Sequence, residues 1–149
     1  MPKHRASASP EETFFLTLQK TTSLLQKSAD SILRPIGLTV AEYMLLRVIE
    51  NIPGITARDA ALHLDARAPT IAQLVSQLES RQLLERIRDP KDARRLPLRL
   101  SGRGRKIVIL AKRAVSEWIS DMQHSPRLLQ ALTQNLLTFL SSLPSHGKR

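Results

Sequence analysis

The hydrophobic period of this chain changes twice, and no other feature restricts its fold as much. As far as Glu79 the apolar residues recur at helical spacing, and from Ser101 onward they do so again. In between, Leu83-Leu84-Glu85-Arg86-Ile87-Arg88 and Leu96-Pro97-Leu98-Arg99-Leu100 alternate as strands do. The seven residues that join these runs, Asp89-Pro90-Lys91-Asp92-Ala93-Arg94-Arg95, are polar, charged and turn-prone. One small hairpin set among helices is therefore expected. Pro97 has no N–H to give to a ladder, so it should lie where no partner strand needs one.

Helix-opening signals divide the remainder. Ser9 precedes Pro10 and Glu12, an N-cap with proline at the first helical position and a capping box. Phe14, Leu18, Thr22, Leu25, Ala29 and Ile32/Leu33 then form one stripe that stops near Pro35-Ile36-Gly37. Thr39 with Glu42 is a second capping box, opening a helix that carries Tyr43, Leu46, Val48 and Ile49. Thr56-Ala57-Arg58-Asp59 starts a short helix through Leu64, and Pro69 is expected as the first residue of the next, with Ile71, Leu74, Val75 and Leu78 inside. Two short helices joined by a few residues form a helix-turn-helix pattern, and the hairpin that follows reads as a wing. Ser101 caps a helix to about Met122, and Ser125-Pro126 opens the last one, dense in leucine.

The expected fold is mostly α: a winged helix-turn-helix domain with a small antiparallel β-wing, plus a helical dimerisation layer from the N- and C-terminal helices. The corresponding boundaries are a basic arm at 1–8, the first helix at 9–36 for dimerisation, the DNA-binding domain at 37–101, C-terminal helices at 102–144 for dimerisation, and a tail at 145–149.

Composition narrows the function. Aromatic residues are only 3% against 42% apolar, so Leu, Ile, Val and Ala must build the core, which suits helices. Lys plus Arg number 23 against 13 Asp plus Glu, a net charge of +10 that points to a polyanionic partner or to nothing beyond a high pI. Cysteine is absent, which excludes disulfides, thiolate nucleophiles and Cys-ligated zinc within this sequence. No apolar run approaches a membrane span and residues 1–10 lack a secretory pattern, so a soluble, cytoplasmic protein without membrane partners is expected.

Over roughly residues 38–106 the sequence resembles the MarR family of bacterial regulators. The resemblance runs from Leu38-Thr39 and Tyr43-Met44-Leu45-Leu46 through Pro53-Gly54-Ile55-Thr56 and Pro69-Thr70-Ile71 to Leu78-Glu79. Its most specific part is Leu83-Leu84-Glu85-Arg86 followed by Asp89-Pro90-Lys91-Asp92-Ala93-Arg94, the family's Asp-Pro-x-Asp-x-Arg wing; Leu100-Ser101-Gly102-Arg103-Gly104-Arg105 resembles the start of its next helix. One departure is Gln82, where the family usually has Gly after the recognition helix. A left-handed backbone there would cost a side chain about 1 kcal/mol relative to Gly. The resemblance implies a homodimeric transcriptional regulator, acting as a repressor on a pseudo-palindromic operator in double-stranded DNA and released in many relatives by a small-molecule effector.

Particular residues follow from this reading. Arg67, Thr70, Gln73 and Gln77 lie opposite the buried stripe of the recognition helix; Gln suits adenine in a bidentate contact and Arg suits guanine or phosphate, though an ordinary solvated face is the alternative. From Glu79 to Lys106 there are ten basic and four acidic residues, which leaves +6 of the total charge in one segment. By resemblance Arg94 enters the minor groove with Asp92 bracing it, while Arg88, Lys91 and Arg95 meet phosphates. Arg86 could face phosphate or fold back onto the domain. Phe14, Phe15, Leu18, Leu129, Leu132, Leu136 and Leu140 are the expected dimer contacts. Trp118 and Tyr43 are candidates for an effector crevice but fit the core better, and His63 reads as structural. The sequence lacks HExxH and a Walker loop, and Asp89 and Asp92 are flanked by Lys and Arg that repel a cation, so no enzyme, cofactor or metal is expected. The alternative functions are a nonspecific or architectural DNA binder and a protein-interaction module.

Overall fold

The structure is a computed structural model that describes residues 9–88, 92, 95–121 and 125–143. The expected arm at 1–8, Lys91 and Arg94 of the wing, and the tail at 145–149 lie outside the described residues.

Helix α1 (Pro10–Leu33) starts on Ser9, whose Oγ accepts the Glu12 N–H at 3.2 Å. The carboxylate that turns back here is that of Glu11 rather than Glu12. Its own backbone N–H and the Ser9 side chain hold it below the usual carboxylate range. A 3-10 turn (Arg34–Ile36) and left-handed Gly37, at φ 80°, lead into α2 (Val40–Asn51). The Thr39 box closes in both directions: Glu42 N–H donates to Thr39 Oγ1 at 3.2 Å, and Thr39 N–H to Glu42 Oε2 at 2.8 Å. Helix α3 (Ala57–His63) is capped by the Thr56 side chain, whereas α4 (Ala68–Ser80) follows Arg67, which holds the N-cap position without a side-chain bond. Pro69 therefore takes the second helical position, one later than the sequence pattern placed it.

The strands are β1 (Leu84–Arg86) and β2 (Leu98–Leu100), antiparallel, with Leu84 opposite Leu100 and Arg86 opposite Leu98. Both are shorter than the alternating runs. Pairing extends by one bond, from Ile87 N–H to the Pro97 carbonyl at 2.8 Å. Pro97 sits where only its carbonyl is used, and its bridge to Thr56 brings the segment before α3 against β2, with Leu98 N–H donating to the Ile55 carbonyl at 2.8 Å. Helices α5 (Gly102–Asp121) and α6 (Pro126–Ser142) complete the chain. This is a winged helix-turn-helix: α3 and α4 as the paired helices, and β1 and β2 as the wing.

The core gathers Leu33 from α1, Leu45 and Leu46 from α2, Val75 and Leu78 from α4, Leu83 and Leu98 around the wing, and Val108 from α5. It lies almost wholly within the winged domain and the first half of α5. Leu33 is the sole buried residue of α1, and α6 buries none. Among the described residues no helix is long and apolar enough to cross a membrane.

Candidate nucleic-acid interface

Helix α4 is presented by its fit to α3. Ala60 and Ala61 on α3 are buried, and their small side chains let α4 approach closely. The link between the two helices is a Schellman turn: Asp65 takes φ 48°, and Ala66 N–H donates to the Ala61 carbonyl at 2.9 Å. With Ile71, Val75 and Leu78 buried, Arg67, Thr70, Gln73 and Gln77 fall together on one exposed stripe. Arg67 and Thr70 stand at the helix N-terminus, where unpaired amides and the helix dipole favour an anion.

The C-terminus of α4 repeats the Schellman geometry. Leu83 N–H donates to the Leu78 carbonyl and Gln82 N–H to the Glu79 carbonyl, both at 2.9 Å, while Gln82 takes φ 58°. The helix thus ends as a glycine-containing one would, with Leu78 and Leu83 packed beneath the turn. Gln82 does not redirect the chain.

Among the described residues, the wing carries less free charge than its composition indicates. Arg86 folds back so that its Nη1 lies 3.3 Å from Glu79 Oε2 on α4. Arg99 forms a cross-strand pair with Glu85 through Nη2 at 2.9 Å, and Arg81 pairs with Glu42 at 2.7 Å. Arg88 and Asp92 are exposed. Arg95 N–H donates to the Asp92 carbonyl at 3.0 Å, and its guanidinium reaches the Gly54 carbonyl at 3.4 Å. Arg95, Arg86 and Asp92 share a cleft of about 510 Å³ with Thr56 and Arg58. In the sequence pattern Arg58 stands only as part of a helix start. Its position in the first turn of the helix that precedes a recognition helix was the available signal.

A MarR family model matches residues 36–95. The HTH-type transcriptional repressor Mb2911 of Mycobacterium bovis is 30% identical over 97 residues, which span 65% of this chain and 68% of the relative. Among solved structures, the Staphylococcus aureus MepR–DNA complex superposes with a TM-score of 0.77 at 26% identity, covering 91% of this chain and 100% of MepR. The repressor CouR bound to a 23-mer DNA duplex gives 0.73 at 25% identity, covering 85% and 88%.

The chain belongs to the MarR family. It is accordingly a winged-helix transcriptional regulator, and α4 with the wing is its candidate DNA-binding face.

Outside that face, this MarR chain exposes apolar helix surface. The Phe14 ring packs edge-on against Phe139 with centroids 5.1 Å apart, which joins α1 to α6. Leu18 and Leu129 are half-buried, whereas Phe15, Leu132, Leu136 and Leu140 stand open, Phe15 at 58% and Leu140 at 59%. Leu16, Leu24 and Leu137, which the sequence pattern did not single out, are equally exposed. A second cleft of about 620 Å³ lies between the 3-10 turn and α5, with Pro35, Ile36, Ile107 and Leu110 as apolar walls and Arg103, Lys106 and Arg113 as cations. Arg113 donates to Glu117 at 2.7 Å, and this bond, with the attraction of the carboxylate, pushes its pKa further up. Tyr43 packs against the core, Trp118 is half-buried on α5, and neither lines this cleft. His63 is exposed at the end of α3, not built into the core.

Proposed function

We propose that this MarR protein is a homodimeric repressor that binds a pseudo-palindromic operator, with α4 of each subunit in a major groove and the wing over the adjoining backbone. The observation that carries this reading is the single exposed stripe of Arg67, Thr70, Gln73 and Gln77 beside a cationic wing. Two such helices related by a two-fold axis read half-sites about one helical turn apart. Gln73 and Gln77 would read adenine edges, Thr70 a phosphate, and Arg67 guanine or phosphate. Arg88 and Arg95, with Lys91 and Arg94 outside the described residues, would contact the backbone and minor groove. Arg58 joins them as a further phosphate contact. Arg86, turned toward Glu79, contributes less.

The exposed leucines of α6 and the phenylalanines of α1 would form the dimer layer, because a water-facing apolar surface of this extent is stabilised by covering it. The cleft beside α5 would receive the effector. Its apolar walls and cationic rim suit a small aromatic or acyl anion. The protein would act in the cytoplasm, where its operator lies, and without a catalytic step.

Selection of bound duplexes from a random pool tests this reading. The expected result is an enriched sequence with two-fold symmetry, bound about 10³-fold or more tightly than unrelated DNA. Recovery of no preferred sequence, or a dependence on salt alone, would overturn it.

A further inference from the structure

Glu42 is the one buried charged residue among those described, at 7% exposure. It is not part of the DNA-binding stripe, yet it holds two elements at once. Its Oε2 accepts the Thr39 N–H at 2.8 Å, and its Oε1 accepts from Arg81 Nη1 at 2.7 Å. Arg81 is the C-cap residue of α4, and its Nη2 also donates to the Gly37 carbonyl. One guanidinium thus ties the end of the recognition helix to residues 44 and 39 positions earlier, both at the junction of α1 and α2. A carboxylate taken out of water needs such a partner, and a planar fork can satisfy two acceptors in a fixed direction as an ammonium cannot. Gly37 adds a constraint of its own, because its backbone takes φ +80°, a conformation that favours glycine.

We infer that Arg81 is a positioning residue for DNA recognition, a brace that sets the angle between the recognition helix and α1 and hence the separation of the two recognition helices in the dimer. The inference rests on the homodimeric reading above. The bundle that joins the subunits begins at α1, and the reading head is α4. Beside the shared apolar core, α4 meets the α1–α2 junction through the Arg81–Glu42–Gly37 bridge, whose Arg81 side chain is 38% exposed and so removable without opening a cavity. Within the +6 segment, this arginine spends its charge inward and not on phosphate.

The test compares the wild-type protein, Arg81→Gln, Arg81→Lys, Glu42→Gln and the Arg81→Gln/Glu42→Gln double variant on the selected operator, on operators with one base pair added to or removed from the spacer, and on unrelated duplex. Dimer mass and helix content are recorded for each. The expected result is a loss of operator affinity of about tenfold in Arg81→Gln and Glu42→Gln, no further loss in the double variant, and a flattened spacer preference. Affinity for unrelated duplex should be unchanged. Arg81→Lys, which keeps the charge but not the fork, should remain below wild type. Equal losses on operator and unrelated DNA, with the salt slope reduced by about one, would mean that Arg81 contacts phosphate and would overturn the brace. So would full affinity in Arg81→Gln, or complete rescue by Arg81→Lys. A wild-type protein that selects no operator would instead overturn the reading of function on which the brace rests.

Discussion

Gln82 sits at φ 58°, where a Cβ is disfavoured, and the chain keeps it there because the surrounding turn is over-determined. The two Schellman hydrogen bonds and the buried pair Leu78 and Leu83 fix the geometry whatever the side chain. Gln82→Gly should therefore stabilise the fold by about 1 kcal/mol, a rise in melting temperature of roughly 3 °C for a chain of this size. An unchanged or lower melting temperature would contradict this account. Gly104 is the opposite case. A Cβ built on it would lie 1.8 Å from the Leu83 carbonyl oxygen, so α5 can lie against the root of the wing only with glycine there. Gly104→Ala should destabilise the protein by about 1–3 kcal/mol through forced separation of α5 from β1, as thermal unfolding would show. The strain at Gln82 was legible in the sequence, because the family pattern has glycine there. The reason for Gly104 was not, because only packing brings Leu83 beside it.

At the scale of elements, the wing is a hairpin with one buried and one solvated face. Leu84, Leu98 and Leu100 point inward, and Glu85 and Arg99 pair directly across the outer face. That division follows from alternation in the sequence, and the period of the pleat makes it legible. What alternation could not supply was the bridge from Thr56 to Pro97, which seats the wing on the segment before α3. Nor could it tell which arginines are free. Arg88 is exposed on the wing, whereas Arg86 leans on Glu79. Arg88→Ala should thus reduce the slope of log affinity against log salt by about one, and Arg86→Ala by less. Equal slopes for the two variants in salt titrations would remove the distinction. Along α4, Gln73→Ala should change base preference at one or two symmetric operator positions, read by repeating the duplex selection.

For the whole molecule, the decisive contrast lies between a winged domain with a dense core and outer helices with almost none. Val75 and Val108 are fully buried, whereas Leu132 and Leu136 on α6 are about half exposed, at 48% and 49%. Such an uneven distribution fits a chain whose second core forms between subunits. Replacing both Leu132 and Leu136 by Asp should give a monomer in analytical ultracentrifugation, with the helix-turn-helix still folded and operator affinity lost, because one half-site alone lacks the second set of contacts. A variant that remains dimeric at micromolar concentration would show that α6 does not carry the interface.

The sequence by itself determined the element order, the caps, the wing and the family, because each depends on local chemistry. Hydroxyls at Ser9, Thr39, Thr56 and Ser125 accept helix amides three residues ahead; proline and left-handed residues end the helices; and hydrophobic period separates helix from strand. It also placed Arg67, Thr70, Gln73 and Gln77 on one face, since helical spacing alone does that. Tertiary structure decided which charges are free and which are bound. Arg81, Arg86 and Arg99 belong to one basic segment by composition, but each is neutralised by a carboxylate that the fold brings to it. Ion pairing depends on distances of a few ångströms between elements far apart in the chain, and those distances exist only once the core has closed.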